Sequence, residues 1–201
     1  MTIKWILFDL GGVLYDIDVH SPIAMLKSMA RNSTDGFTED LVIKKHKEFM
    51  KGEYSPEMFF RELKQLLGIN AEEEQIRAVW NKIIVKFREE FKPLLIDLKS
   101  NFNLALVSNT DPSHMELVFQ QIPEFPYFFH KLLLSYDIKE IKPNLNYFKF
   151  VLRDIKELPE NCLYFDDSPE NIESASSLGI QSFLVSSFSE VVEIIARMKL
   201  I

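Results

Sequence analysis

The sequence has few of the features that mark disulfide-bonded, membrane-spanning or nucleic-acid-binding proteins. It contains one cysteine, which excludes an intrachain disulfide and a zinc site built from cysteine pairs. It has no apolar run near the ~20 residues of a membrane span, and no signal-peptide layout precedes its first apolar segment. It also has no long basic run, and its net charge of −7 argues against nucleic acid, whose phosphates attract Lys/Arg-rich surfaces. We therefore expect a soluble, cytoplasmic protein without a membrane or nucleic-acid partner.

The composition is that of an ordinary globular protein. Hydrophobic residues make up 47% of the 201 residues and charged residues 26%, which is enough apolar chain for a buried core. The single cysteine, Cys162, lies in an apolar run, where we expect a buried strand thiol rather than a reactive group. The chain has no coiled-coil heptads, so we expect a monomer.

Short apolar runs alternate with helical patterns in the first and last parts of the chain. These runs are typical of strands buried on both faces of a sheet, because they do not alternate cleanly between apolar and polar residues. Strands that alternate with helices form a parallel sheet with right-handed crossovers. We therefore predict an α/β fold, a Rossmann-like parallel sheet with helices on both faces. The predicted strands are 3–8, 103–107, 131–135, 163–165 and 182–185.

A long helical block separates the first predicted strand from the others. Residues 21–90 show helical periodicity and almost no strand signal, with a polar break at 31–36. The last helix of the block begins near Ala71, and its apolar positions include Ile84 and Phe87. A connection of this length with its own secondary structure is an insertion.

The position of this block predicts a division into two domains. We assign 1–16 and 91–201 to the α/β core and 17–90 to a small all-helical cap inserted after the first strand. Because the cap follows the strand that ends at Asp9, it is placed to cover the sheet edge where Asp9 lies.

Polar residues stand at the ends of the predicted strands. In a parallel sheet, strand ends of one sense lie along one edge, where ligands of open α/β sheets bind. Carboxylates at two strand ends suit Mg²⁺, and a lysine and a serine hydroxyl suit phosphate oxygens. An aspartate that faces phosphorus can form an acyl phosphate. The residues are Asp9, Ser108, Asn109, Lys142, Asp166 and Asp167.

The order of these residues resembles the four motifs of the haloacid dehalogenase (HAD) superfamily. The resemblance implies an Asp nucleophile, a Mg²⁺ cofactor and a small phosphorylated metabolite as substrate. It implies catalytic roles for Asp9, Ser108 and Lys142, substrate binding by Ser108, Asn109 and Lys142, and metal binding by Asp9, Gly11, Asp167 and Asp166, where Gly11 offers its carbonyl. For Asp166 an orienting role toward Lys142 stays open. The stretch after Asp9 looks similar to the branch of α-D-glucose-1-phosphate phosphatases and epoxide hydrolase phosphatase domains.

Gly11 departs from the pattern of most phosphatases in this superfamily. Their general acid is a second aspartate at this position, and a missing general acid costs about 10²–10⁴-fold in rate. Three outcomes are open. The substrate has a good leaving group, such as an anomeric phosphate; or Asp16, Asp18 or His20 substitutes for the acid; or the protein is slow or inactive.

The main hypothesis is a Mg²⁺-dependent phosphatase that acts on a small phosphorylated metabolite through an aspartyl phosphate, with a sugar phosphate as the first substrate to test. One alternative is a non-catalytic or weakly active binding or regulatory protein, because Gly11 lacks the acid. Another is a haloacid dehalogenase, which needs no metal, but the pair Asp166 and Asp167 speaks against it. The four histidines show no metal-ligand spacing, and we expect them to be surface or structural residues.

Overall fold

The computed structural model describes residues 2–30 and 39–201 and shows an α/β fold, as predicted. The polar break at 31–36 lies outside the described residues. The strands are β1 (Trp5–Phe8), β2 (Tyr15–Ile17), β3 (Ile84–Phe87), β4 (Asn103–Ser108), β5 (Lys131–Leu134), β6 (Cys162–Asp166) and β7 (Gln181–Leu184). The α-helices are α1 (His20–Ser28), α2 (Glu39–Met50), α3 (Pro56–Leu66), α4 (Glu73–Trp80), α5 (Phe91–Lys99), α6 (Pro112–Gln121), α7 (Ser135–Ile138), α8 (Leu145–Ile155), α9 (Pro169–Ser177) and α10 (Phe188–Arg197).

The main sheet has five parallel strands in the order β5-β4-β1-β6-β7, with β1 at its centre. Successive side chains of a strand point to opposite faces, and β1 follows this rule. Ile6 and Phe8 pack into one hydrophobic cluster, whereas Trp5 and Leu7 pack into a second cluster on the other face. The burial of both faces explains why the β1 sequence is apolar without alternation.

Two helices begin with the serine N-cap and first-turn proline that the sequence predicts. Ser55 accepts a hydrogen bond from the Met58 amide at 3.3 Å and begins α3, which has a proline at its first position. Ser168 accepts from the Asn171 amide at 3.5 Å and begins α9 in the same way. A serine N-cap satisfies a free amide of the first turn, and proline fits there because it lacks an amide hydrogen.

The helical block α1 to α4 has a hydrophobic cluster of its own. Phe49 stacks on Phe59 with ring centroids 4.1 Å apart, and the Trp80 ring contacts Phe59 edge-on at 5.0 Å. The other buried members of this cluster are Ile23, Leu26, Val42, Phe60, Leu63, Leu67, Ile69, Ile76 and Ile83. The domain division at 17–90 stays a prediction.

The prediction that α4 continues through Ile84 and Phe87 is wrong. The helix ends at Trp80, and β3 pairs antiparallel with β2 as a two-stranded ribbon, in which Tyr15 faces Phe87. Ile84 and Phe87 belong to the hydrophobic cluster that contains Ile6 and Phe8, on one face of the main sheet. They do not belong to the cluster of the helical block. The β-branched run that leads into β3 favours an extended chain because its side chains are restricted in a helix.

Cys162 lies in β6 and is a free, buried cysteine, as predicted. Burial raises the pKa of its thiol to about 12, which keeps it protonated at neutral pH. Among the helices of the described residues, none combines the length and the apolar character that a membrane crossing requires.

Candidate active site

Two strand ends of the main sheet meet at the ammonium group of Lys142. Asp9 follows β1 and Asp166 ends β6, and Lys142 lies on the loop before α8. The ammonium donates to Asp9 Oδ1 at 2.7 Å and to Asp166 Oδ2 at 2.7 Å. It also donates to the Val107 carbonyl at 2.9 Å and to the Tyr164 hydroxyl at 3.0 Å. One buried positive charge therefore joins two carboxylates, as the strand-end pattern predicts.

Both oxygens of Asp166 are occupied by hydrogen bonds. Oδ2 accepts from Lys142 and from the Tyr164 hydroxyl. Oδ1 accepts from the Ser168 amide at 2.8 Å, and the Asn171 side chain donates to Oδ1 at 2.9 Å and to Oδ2 at 3.1 Å. A carboxylate with this many donors holds a fixed orientation. The arrangement favours the orienting role of Asp166 toward Lys142 over a role as metal ligand.

Asn109 holds the loop that carries Lys142. Its side-chain amide donates to the Lys142 carbonyl at 2.9 Å and accepts from the Lys142 amide at 2.8 Å. The Asn109 side-chain amide, which the sequence predicts to bind substrate, therefore hydrogen-bonds to the backbone of Lys142 and positions this lysine. Ser108 is 1% exposed and ends β4, the strand beside β1, so its role as a phosphate-binding residue stays a prediction.

Three carboxylates form a cluster at this edge of the sheet. Oxygen atoms of Asp9, Asp166 and Asp167 all lie within 4.8 Å of one another. Asp167 is exposed, whereas Asp9 and Asp166 are buried. Gly12 lies against Asp167, because a Cβ added to Gly12 would be 1.9 Å from Asp167 Oδ2. Glycine thus lets the backbone approach this carboxylate closely.

Burial and the shared lysine shift the pKa values of these groups in different directions. Burial raises the pKa of Asp9 to about 7, although Lys142 opposes this shift. Burial would also raise the pKa of Asp166, but the charge and hydrogen bonds of Lys142 lower it overall. Burial and the Asp166 charge raise the pKa of Asp167. The two flanking carboxylates raise the pKa of Lys142 against the effect of its burial. A further positive charge at this edge would therefore stabilise the ionised forms of Asp9 and Asp167.

A protein-family model described as haloacid dehalogenase-like hydrolase matches residues 3–179 of the chain. The chain belongs to this family. The match spans both strand ends and the loop that form the Lys142 site, so the predicted resemblance is confirmed at the level of the superfamily.

Two comparisons relate this HAD-like hydrolase to characterised proteins. D-ribitol-5-phosphate phosphatase of Bacteroides thetaiotaomicron is 28% identical over 192 residues, which cover 90% of this chain and 91% of the relative. The crystal structure of HAD family enzyme BT-2542 from the same organism, in complex with magnesium and inorganic phosphate, is 29% identical. Its TM-score is 0.83, and the alignment covers 94% of this chain and 98% of that chain. The narrower resemblance to glucose-1-phosphate phosphatases stays a prediction.

A 2-haloacid dehalogenase from Pseudomonas syringae shares the fold of this HAD-like hydrolase. Its structure has a TM-score of 0.64 and 16% identity, and the alignment covers 98% of this chain and 100% of that chain. At this identity the likeness concerns the fold alone, since one fold supports different reactions.

Gly11, where most HAD phosphatases place an acid, lies against an apolar side chain. A Cβ added to Gly11 would be 3.1 Å from Ile17 Cδ1 and 3.2 Å from Ile17 Cγ2. Ile17 belongs to β2, which the sequence did not reveal as a strand. An acidic side chain at position 11 would therefore have to displace Ile17.

Two of the predicted substitutes for the acid have structural partners. Asp16 Oδ1 accepts from Arg88 at 2.8 Å. Asp18 Oδ1 accepts from the Ser21 amide at 3.0 Å, and the hydrogen bonds from Ser21 lower the pKa of Asp18. A carboxylate with a lowered pKa is a poor proton donor at neutral pH. These contacts disfavour Asp16 and Asp18 as the general acid; His20 stays a prediction.

Sequence reasoning did not assign a role to Tyr164. Its hydroxyl donates to Asp166 and lies 3.0 Å from the Lys142 ammonium. The available signal was its position two residues before Asp166 in β6, because residues i and i+2 of a strand share a face. Its apolar neighbours on both sides are typical of an ordinary core residue.

Proposed function

We propose that this HAD-like hydrolase is a Mg²⁺-dependent phosphatase that acts on a small phosphorylated metabolite. The observation that carries the proposal is the placement of the Lys142 ammonium 2.7 Å from both Asp9 and Asp166, with Asp167 in the same carboxylate cluster. A nucleophilic carboxylate, a phosphate-binding cation and free carboxylate oxygens are the groups that phosphoryl transfer through an aspartyl phosphate needs.

In this proposal Asp9 is the nucleophile. A carboxylate oxygen of Asp9 attacks phosphorus, and the bond between phosphorus and the leaving oxygen breaks, so that this oxygen departs with the bonding electron pair and takes up a proton from water. Water then attacks the phosphorus of the aspartyl phosphate, which releases inorganic phosphate and restores the Asp9 carboxylate. Lys142 and Ser108 bind phosphoryl oxygens, and Asp166 keeps Lys142 charged and oriented.

The carboxylate cluster fits a magnesium ion. Mg²⁺ prefers one or two carboxylates together with waters and substrate oxygens. Asp9, Asp167 and the Gly11 carbonyl would hold the ion, whereas the oxygens of Asp166 already accept hydrogen bonds from protein donors. When bound, the metal supplies positive charge that offsets the negative charge developing on the phosphoryl group. Magnesium in BT-2542, a structure with TM-score 0.83, supports the same cofactor here.

Two substrate classes follow from different observations. The name of the B. thetaiotaomicron relative favours a phosphorylated linear polyol such as D-ribitol 5-phosphate. The apolar surroundings of Gly11 favour a substrate whose leaving group needs little protonation, such as glucose 1-phosphate. Rates on these two compounds and on glucose 6-phosphate separate the classes. The leaving-group argument requires faster hydrolysis of glucose 1-phosphate than of glucose 6-phosphate, and the reverse ranking would contradict it.

The first experiment measures phosphate release from p-nitrophenyl phosphate and this panel, with Mg²⁺ and with EDTA. We expect metal-dependent release that EDTA abolishes. Asp9→Asn should remove activity while circular dichroism shows an intact fold. Asp97→Asn is the matched control, because Asp97 is an exposed aspartate on α5 and should leave the rate unchanged.

Other outcomes of this experiment separate the alternatives. Activity on a 2-haloacid that persists in EDTA would favour a dehalogenase. A folded protein that binds phosphate but releases none from any compound in the panel would favour a non-catalytic binding protein. Either result would contradict the proposed phosphatase.

A further inference from the structure

A second cluster of metal-ligating side chains is formed by residues that have no part in the candidate active site. His46 lies in α2 of the helical block, Asp111 is the N-cap residue of α6, and His114 lies in the first turn of α6. One ligand atom of each lies within 4.8 Å of the others. The side chains of Asp111 and His114 are buried, at 0% and 4% exposure, and that of His46 is 17% exposed. The fold thus brings together two histidines that the sequence presented as unrelated.

The spacing of the ligand atoms resembles that of a tetrahedral metal site. Asp111 Oδ2 lies 2.9 Å from His114 Nδ1 and 3.5 Å from His46 Nε2. Ligand atoms around a tetrahedral Zn²⁺ lie about 3.3 Å apart, because each bond is about 2.0–2.1 Å long. One ring nitrogen of each histidine lies within 4.8 Å of one on the other histidine, so these two nitrogens would have to approach each other by at most about 1.5 Å.

The surroundings of the cluster resemble the outer shell of a metal centre. His114 Nε2 lies 3.4 Å from the Trp80 carbonyl and Nδ1 lies 2.9 Å from Asp111 Oδ2, so a metal at Nδ1 would replace the Nδ1 proton while Nε2 donates to the carbonyl. Metal-binding histidines commonly donate their other ring nitrogen to a carbonyl in this way. Trp80 Nε1 donates to Asp111 Oδ2 at 3.2 Å and the His114 amide donates to Oδ1 at 3.0 Å, so the second lone pair of Oδ2 would bind the metal. Within residues 2–30 and 39–201, the buried His46 Nε2 makes no hydrogen bond of good geometry, and Asp111 Oδ2 lies 3.5 Å from it.

We propose that His46, Asp111 and His114 bind one transition-metal dication of the Zn²⁺ type. Two imidazole nitrogens and one carboxylate oxygen form a ligand set that suits Zn²⁺, whereas Mg²⁺ prefers oxygen ligands alone. The ion joins α2 to α6 and therefore fixes the helical block to the core. This site is separate from the proposed magnesium cluster, and its test does not depend on phosphatase activity.

The test uses Co²⁺ as a spectroscopic substitute for Zn²⁺, in excess Mg²⁺ that occupies the carboxylate cluster. With a water molecule as the fourth ligand, we expect one equivalent of Co²⁺ to give the visible absorption of a four-coordinate site, and one equivalent of Zn²⁺ to remove it. His46→Gln should weaken Co²⁺ binding by at least about 100-fold, the upper end of the loss known for outer-shell substitutions. Asp167→Asn is the matched control, because it alters the other cluster and should keep the signal.

Thermal unfolding supplies a second measurement. Zn²⁺ should raise the melting temperature of the wild-type protein and of Asp167→Asn, but not that of His46→Gln. The proposal is overturned if the wild-type protein shows no four-coordinate Co²⁺ signal, a result that requires no variant to fold. It is also overturned if Asp167→Asn loses the signal while His46→Gln keeps it, since the ion then occupies the carboxylate cluster.

Discussion

Gly12 lies beside the predicted metal ligand Asp167, and its conformation leaves no room for a side chain. Its φ of +77° is in the left-handed region, and an added Cβ would lie 1.9 Å from Asp167 Oδ2. The Gly12 backbone therefore limits where the Asp167 carboxylate can lie. The sequence shows the glycine, but the carboxylate that it faces is 155 residues away in the numbering and becomes visible only in the folded chain.

Gly12→Ala should weaken metal binding by displacing Asp167. We expect the Mg²⁺ concentration for half-maximal phosphate release to rise by about 10–100-fold, as for other changes behind a metal ligand. We also expect the free energy of unfolding to fall by about 1–2 kcal/mol, because alanine is strained in the left-handed region. A magnesium titration of the phosphatase rate and urea unfolding measure the two effects.

Gly68→Ala is the control for the backbone strain. Gly68 also has a positive φ, +56°, but no atom lies within 4 Å of an added Cβ. It should lose similar stability and keep the Mg²⁺ requirement of the wild-type protein. If Gly12→Ala also keeps the wild-type Mg²⁺ requirement, then Gly12 does not position Asp167 as a metal ligand.

Sequence patterns predict the site residues that follow strands at this edge of the sheet. They do not predict the residues that orient those side chains. Strand ends alone predict that Asp9, Ser108 and Asp166 lie at one edge, because the parallel strands of a sheet end on one side. The contact of Tyr164 with Lys142 could not be predicted, because its 3.0 Å distance depends on where the loop before α8 places the lysine.

At the scale of elements, the five strands of the main sheet lie where the sequence has apolar runs. The sequence does not predict the ribbon of β2 and β3. Apolar runs bounded by polar residues identify β1, β4 and β6, which are buried along most of their length, and shorter runs identify β5 and β7, which are less buried. The ribbon strands have three and four residues, and β3 begins at Ile84, shortly after α4 ends at Trp80 with apolar positions at helical spacing. Periodicity alone cannot separate so short a strand from the preceding helix.

Arg88 attaches this ribbon to the core. Its Nε donates to Asp16 at 2.8 Å, and its Nη1 donates to the carbonyls of Gly12 at 2.9 Å, Val13 at 3.1 Å and Ser186 at 3.2 Å. The side chain is 19% exposed. A partly buried guanidinium with four acceptors restrains the loop between β1 and β2 more than an exposed ion pair would.

Arg88→Met should therefore loosen the ribbon without unfolding the sheet. We expect amide hydrogen exchange in β2 and β3 to become at least about tenfold faster, because one hydrogen bond to a charged group contributes about 1.5–3 kcal/mol. Exchange in β1 should stay unchanged. Arg61→Met is the control, since Arg61 is 61% exposed and its Nε is 3.9 Å from Glu73. Unchanged exchange in the ribbon of Arg88→Met would show that other contacts restrain it.

At the scale of the whole molecule, the helical block and the main sheet bury separate hydrophobic clusters. Leu63 of α3 packs with the aromatic residues of the block, whereas Leu106 of β4 packs under the sheet. Trp80 connects the two parts through its hydrogen bond to Asp111. The sequence could predict an inserted helical block, because a long helical pattern interrupts the strand order. It could not predict these contacts with the core, because residues that meet there are far apart in the chain.

Because the clusters are separate, we expect the helical block to open at a lower free energy than the whole protein unfolds. Leu106→Ala removes contacts that stay formed while the block is open. It should lower the free energy of global unfolding by about 2–5 kcal/mol and leave the opening of the block unchanged. Hydrogen exchange measures both quantities when opening is at equilibrium. Amides of β1 and β4 should exchange at least about 25-fold faster, whereas amides of α3 should keep their wild-type rates.

Leu63→Ala is the matched variant in the other cluster, and its expected pattern is different. Leu63 loses its contacts in the open block and in the unfolded chain alike, so this substitution destabilises the native protein relative to both states. Amide exchange should therefore become faster in α3 and also in β1 and β4. Faster exchange of α3 amides in Leu106→Ala would contradict separate opening, because it would show that the block and the sheet unfold as one cooperative unit.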